Sequence, residues 1–347
     1  MTLVDVCAVV LWLGVTTYAV FGGADFGAGF WDLVSGRGPE AERSRGLIAT
    51  AIGPVWEANH TWLIFDLVIL WTAFPVAFAA IMSSLFVPLS LAALGIVLRG
   101  AAFAFRPVVG SVRGRRTTTA IFAASSVLTP FFLGAAAGGI ASGRVTLDPT
   151  GGDLIGSWLN PTSILVGLMA VSACAYLAAV FLVADARRLG QADLAALFLR
   201  RARAAALVTG GLAVIGILVL AVDSPVLASE LTGRGWPLVV ASLALGGAAL
   251  AAIGQRAPFG TRPLAVGAVV AIVWGWGVAQ YPDILPRTLS LADAAAPSGS
   301  LGSLLVVFVA AALLIAPSLV LLFWLTQDNR LPGHAPEAVA DPAARFD

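Results

Sequence analysis

The chain has 347 residues, of which 59% are hydrophobic and 11% charged, with a mean hydropathy of +0.94 and a formal net charge of +1. Such a composition lies far from that of a soluble globular domain and within that of polytopic membrane proteins, so the bilayer is the solvent in which the elements have to be read. The near-neutral total gives no ground for a nucleic-acid partner, and with two histidines, two cysteines and no Cys/His cluster the sequence offers no self-sufficient metal or haem site.

About 20 helical residues cross about 30 Å of hydrocarbon. Apolar runs of that length predict an all-α membrane protein of nine helices, near 3–25, 54–74, 77–99, 118–140, 161–184, 204–222, 236–255, 263–283 and 302–325. The domain organisation expected is one integral-membrane unit over 1–326 and a polar tail over 327–347. The opening stretch MTLVDVCAVVLWLGV carries Asp5 and no basic segment, the pattern of a retained span rather than a cleaved leader. Cys7 in the first run and Cys174 in the fifth read as small buried hydrophobes.

Nine spans divide the arginines unequally. The chain has no lysine, and of its 20 arginines 17 fall on the side of the loops after helices 1, 3, 5 and 7 and the carboxy-terminal tail. Arg144, Arg234 and Arg287 fall on the other. The positive-inside rule then places the amino terminus outside and the carboxy terminus in the cytoplasm.

This topology sets the depth of the ionisable residues. Asp25 lies about 22 residues into the first helix, roughly 33 Å along its axis, at the cytoplasmic mouth. Glu57 stands at the same level at the head of the second helix, in GPVWEANHTWLIF, and Arg99 and Arg106 return to that level at the end of the third. Acids in an apolar wall need partners or water, and two readings stand side by side: ion pairs that fix helix packing, or a proton-entry site. At about 100° per residue, Glu57, His60 and Thr61 share one face of the second helix, while Asn59, Trp62 and Asp66 share the other, so both faces are expected to touch protein. Asp66 lies roughly 13 Å beyond Glu57, near mid-membrane, and is either a helix-fixing carboxyl or a functional one. His60 is either a structural imidazole or a relay.

Five stretches carry a resemblance. GADFGAGFWDL, GPVWEANHTWLI, AFRPVVG, NPTSILVGL and WGWGVAQYPDILP, in this order, resemble the signature segments of subunit II of cytochrome bd-type quinol oxidases. The resemblance implies nine helices arranged as two four-helix bundles plus one peripheral helix, in the bacterial plasma membrane. It implies a pseudo-twofold heterodimer with subunit I, which ligates the b and d haems. The complex would oxidise quinol and reduce O₂ to water, with electrogenic proton uptake from the cytoplasm. A structural quinone or lipid, and small accessory subunits, are further implied possibilities. Asp25 and Glu57 then match the acids of a proton path, and Trp56, Asn59, Trp62 and Arg106 its supporting polar site. His60 and Asp66 depart from the matched pattern and inherit no role from it, and Arg99 stands with them as a further candidate at the mouth. A proton-coupled secondary transporter is the alternative, and would be expected to repeat broken helices in two halves.

Overall fold

The computed structural model describes residues 2–52, 56–105, 109, 111–254 and 260–327. Within that range the chain is helical apart from loops and one short hairpin. Among the described residues, eight helices are long and apolar enough to cross a membrane, or nine when a bent pair is taken as one span.

The first span runs from Leu3 to Val34 in three parts: α1 (Leu3–Thr17), a π-helical segment (Tyr18–Gly22) and α2 (Gly23–Val34). Thr2 and Asp5 start it with a capping box, in which Thr2 Oγ1 accepts the Asp5 amide and the Asp5 carboxylate accepts the Thr2 amide. The span therefore continues nine residues past the expected end at 25. Gly23, Gly27 and Gly29 keep that extension narrow enough to enter between neighbouring helices. A polar helix, α3 (Pro39–Ile52), follows, and then α4 (Trp56–Ala73).

The expected third helix at 77–99 is corrected. Residues 75–84 form a separate helix, α5 (Pro75–Ser84), bent by 119° from α4, and the span is α6 (Phe86–Phe105). Two prolines cause the offset. Pro75 pushes the preceding Phe74 out of helical geometry (φ −133°, ψ 61°). The ring of Pro88 excludes a helix running through the carbonyl four residues earlier, at Ser84, so the chain kinks at Leu85 (φ −108°, ψ 24°). The freed Ser84 carbonyl accepts Ser157 Oγ at 2.8 Å instead.

The remaining helices are α7 (Val112–Ala141), α8 (Pro161–Arg188), α9 (Ala192–Asp223), α10 (Pro225–Gly233), α11 (Trp236–Gly254), α12 (Thr261–Gln280), the one-turn α13 (Leu291–Ala294) and α14 (Ser298–Gln327). Helices α7 and α9 exceed their expected lengths by polar turns carrying Arg113 and Arg116, and Arg200, Arg201 and Arg203, because an apolar run marks only the part of a helix inside hydrocarbon. The expected helix over 263–283 stops at Gln280. A hairpin of β1 (Asp283–Leu285) and β2 (Leu289–Ser290) takes its place, with Arg287 at the turn in the left-handed region (φ 61°).

Helix α8 is the axis of the larger core, buried from Ala175 to Val180 and flanked by α2, α7 and α9. Gly27 is required there: a Cβ at this position would stand 1.8 Å from the Cys174 carbonyl oxygen. Trp31 Nε1 then donates to the Ala175 carbonyl at 2.7 Å. A second core holds α1, α4, α5 and the hairpin, and α14 packs beside α1 and α4 with most of its surface exposed. Cys7 and Cys174 are both free and buried in these cores.

The ends of the molecule are chemically distinct. Arg144, Arg234 and Arg287 collect at one end, where Arg144 binds Asp223 and the other two line a cleft with Asp223, Glu230 and Asp283. Arg43, Arg45, Arg201 and Arg262 lie at the other, beside α3 and the ends of α2, α8 and α9.

Candidate functional site

The site starts from Asp25, in the first turn of α2. Glycine and alanine flank it, so α2 lies close against α7 and α8, and α6 delivers Arg99 across the same interface. Arg99 Nη1 donates to Asp25 Oδ2 at 2.7 Å, and Nη2 donates to Oδ1 at 2.7 Å and to the Asp25 carbonyl at 3.1 Å. Its Nε donates to Ser126 Oγ on α7 at 2.9 Å. The rings of Phe26 and Phe122 flank the guanidinium, with its central carbon 4.8 and 4.9 Å from their centroids. The two side chains are 4% and 3% exposed. This is a forked, fully desolvated ion pair, in which geometry and additional hydrogen bonds have to offset the cost of stripping two charges of water.

Of the residues expected at this mouth, Asp25 and Arg99 are thus brought into direct contact. The backbone of Glu57 lies in the first turn of α4, but the side chains of Trp56 and Glu57, and the whole of Arg106, lie outside the described residues. His60, half-buried, feels the charges of both Asp25 and Arg99.

The two faces of α4 differ in a way the helical wheel did not anticipate. Asn59, Asp66, Ile69 and Ala73 are buried, whereas Thr61, Ile64, Val68 and Trp71 are exposed. The side toward α1 is buried; on the other side Thr61 is exposed while His60 is half-buried.

Asn59 has a specific task. A π-helical turn leaves a carbonyl without its usual intrahelical donor, and Asn59 Nδ2 donates to the Phe21 carbonyl at 3.2 Å. Trp62 packs edge-on against Phe65 at 6.1 Å, and Phe65 in turn meets Phe308 of α14 at 5.2 Å. Seven residues after Asn59, on the same face, Asp66 is 9% exposed and stands against Gly14 of α1.

Sequence reasoning missed the network at the far end. Arg144 Nη1 and Nη2 donate to Asp223 Oδ2 and Oδ1 at 3.1 and 2.9 Å, and the Thr162 hydroxyl donates to Oδ2 at 2.5 Å. This clamp joins the end of α9, the start of α8 and the loop after α7. Its local signal was the NPT opening of α8, where Asn160 caps the helix by accepting the Ser163 amide at 2.9 Å and leaves Thr162 in the first turn. Other pairs tie the arginine-rich end: Arg45 to Asp32 at 2.7 Å, Arg43 to Asp193 at 2.6 Å and Arg262 to Asp185 at 3.2 Å. Among the described residues, no three His, Cys, Asp or Glu side chains converge as metal ligands.

Comparison with known proteins adds three findings. A family model described as cytochrome bd terminal oxidase subunit II matches residues 3–326. The chain is similar to cytochrome bd ubiquinol oxidase subunit 2 of Bacillus subtilis (strain 168), at 31% identity over 112 residues, which is 32% of each chain. It is also similar to cytochrome bd-I ubiquinol oxidase subunit 2 of Escherichia coli (strain K12), at 27% identity over 161 residues, 44% of this chain and 41% of that one. The matched stretch therefore spans less than half the length of either curated relative. Among solved structures, the bd oxidase from Geobacillus thermodenitrificans is similar with a TM-score of 0.77 and 25% identity, over 94% of this chain and 98% of that chain.

Proposed function

The chain belongs to the cytochrome bd terminal oxidase subunit II family, and from that premise we propose that it acts as the non-haem-ligating subunit of a quinol oxidase that reduces O₂ to water. It is a multi-pass protein of the bacterial plasma membrane. The observation that carries the reading is the match over residues 3–326, supported by a fold shared over 94% of the chain. The rival reading as a secondary transporter gains nothing from these similarities.

The partner in this proposal is subunit I, in a pseudo-twofold heterodimer of nine-helix subunits. Each subunit consists of two four-helix bundles and a peripheral helix, with the amino terminus outside. Haem chemistry is assigned to that partner because, among the described residues, His60, Cys7 and Cys174 do not form an axial ligand pair. His60 lies in the field of the Arg99 cation, and Cys7 and Cys174 sit in separate apolar cores.

The contribution of this chain is to bring protons from the cytoplasmic mouth toward the oxygen-reducing centre. Both oxygens of Asp25 accept from Arg99, so the pair acts as a fixed dipole that shapes the field at the mouth. Glu57, at the head of α4, is the group that exchanges protons with water there. Asn59 holds α4 against the π-helical turn, and Trp56, Trp62 and Arg106 are assigned to the supporting polar site beside it. His60 stands where it can share the proton. Quinol oxidation is placed at the outer face, which makes the reaction electrogenic; a quinone or lipid held by this chain would be structural.

Purification from native membranes tests the assignment: a second membrane subunit and a haem spectrum are expected with the chain, and their absence would overturn it. In the assembled complex, Glu57→Gln is expected to slow oxygen consumption with haem content unchanged. Full oxygen consumption in that variant would remove Glu57 from the path.

A further inference from the structure

We propose that Asp66 and Tyr18 form a buried proton relay that continues the Asp25–Arg99 site toward the middle of the membrane, along the interface of α1 and α4. The inference rests on the proton-delivery reading above and deepens it.

Its basis is two polar atoms where the packing leaves them without partners. Asp66 Oδ1 and the Tyr18 hydroxyl are both buried, and neither has a hydrogen-bond partner among the described residues. A buried oxygen of this kind is destabilising when it stays unsatisfied, so its retention in hydrocarbon calls for water or a proton to occupy it.

The backbone is fitted to this arrangement. A Cβ on Gly14 would stand 1.9 Å from Asp66 Oδ1, so α1 carries a glycine where the carboxyl needs room. Tyr18 follows Gly14 by four residues, roughly 6 Å along the axis, on the same face of the helix. Its ring lies over Gly22, where a Cβ would be 2.9 Å from Cε2, three residues before Asp25. The ring centroid is 6.4 Å from that of Phe26, which itself flanks Arg99. Tyr18 lies in the electrostatic field of Asp25, Arg99, Cys174 and Asp66, and His60 faces Asp25 and Arg99 from α4. The hydroxyl therefore stands between the ion pair at the mouth and the carboxyl at mid-depth.

The proton balance is simple. A proton arriving from water at the mouth bonds to the Tyr18 oxygen as Tyr18 passes its own proton to Asp66 Oδ1 through intervening water. Asp66 releases a proton from its other oxygen. With Asp66 starting protonated on Oδ2, every O–H bond formed is matched by one broken and no electron moves; rotation of the Asp66 carboxyl and of the Tyr18 hydroxyl then restores the starting state.

The test uses the complete oxidase in lipid vesicles, with infrared difference spectra and the voltage-generating phase of a single turnover as readouts. Wild type is expected to show a carboxyl C=O band that shifts in D₂O and is absent in Asp66→Asn. Asp66→Asn and Tyr18→Phe are each expected to slow the voltage phase on the order of tenfold or more, with Asp66→Glu restoring it. A purely structural Asp66 predicts no such band and a normal voltage phase in Asp66→Asn, and that result overturns the relay. If Asp66→Asn does not assemble with haem, Tyr18→Phe decides: an unchanged voltage phase refutes the relay and a slowed one supports it. Glu57→Gln is run beside these variants. A slow Glu57→Gln with a normal Asp66→Asn removes the relay alone, and the converse removes the mouth assignment alone.

Discussion

The Asp25–Arg99 pair lends itself to a double-mutant cycle with a large expected signal. Arg99→Met keeps an unbranched chain between Phe26 and Phe122 but removes both donors to the Asp25 carboxylate, leaving a 4%-exposed acid beside apolar rings. Breaking a buried pair from one side costs about 3–5 kcal/mol, because the remaining charge keeps its desolvation penalty and loses its compensation. Asp25→Leu is expected to cost a similar amount, since it leaves the buried guanidinium without its carboxylate. The double variant Asp25→Leu, Arg99→Met removes both charges, and replacing a buried pair by apolar residues is commonly near neutral. The coupling is therefore expected to reach several kcal/mol, well above the scatter of about 0.5 kcal/mol for independent sites. Denaturant-induced unfolding of the purified complex, followed by tryptophan fluorescence, would measure it. If Arg99→Met unfolds within about 0.5 kcal/mol of wild type, or if the double variant costs the sum of the two singles, the pair is solvated in solution and the account of the site is wrong.

Asn59→Leu removes the donor to the Phe21 carbonyl and should cost about 1–3 kcal/mol, with faster amide exchange confined to the π-helical segment and the turn after it; uniform exchange rates would refute the assigned role. Gly27→Ala sets a methyl group 1.8 Å from the Cys174 carbonyl oxygen, so α2 and α8 must separate and destabilisation of at least about 1–3 kcal/mol is expected, whereas Gly46→Ala, inside α3 with open space around it, should not destabilise in the same unfolding assay. The loop after α7 should respond to acid. Asp148 accepts the Thr150 amide and Asp153 the Ile155 and Gly156 amides, and these bonds hold both carboxyls below the ordinary 3.8. Depressed carboxyls stabilise the folded loop above 3.8, and that contribution is lost as the pH falls through their lower folded values. Exchange protection at Ile155 and Gly156 should therefore be flat near neutrality, fall below pH 3.8, and be absent at all pH values in Asp153→Ala; protection unchanged in that variant would refute the turn.

Most of the secondary structure was legible in the sequence because hydrocarbon imposes one length scale and demands that backbone polar groups pair locally. Helices α8, α11 and α14 fall within a few residues of the apolar runs that mark them. The partition of arginines likewise identifies the three residues that collect at one end, Arg144, Arg234 and Arg287, since charge is sorted by membrane side before helices pack. The misplaced third helix had a local signal in Pro75 and Pro88, but hydropathy counts apolar residues and is blind to where a backbone can remain straight.

The site divides along the same line. Sequence position fixes the depth of Asp25, Arg99 and Asp66, because rise per residue is constant in a helix. It does not fix their azimuth, which depends on how six or more helices settle against one another. Only the tertiary structure decided that α6 turns Arg99 onto Asp25, that α7 offers Ser126 to the same guanidinium, and that Asn59 and Asp66 face α1 while Thr61 faces outward. The physical reason is that small residues at Gly14 and Gly27 let backbones approach closely, and such contacts couple residues far apart in the chain.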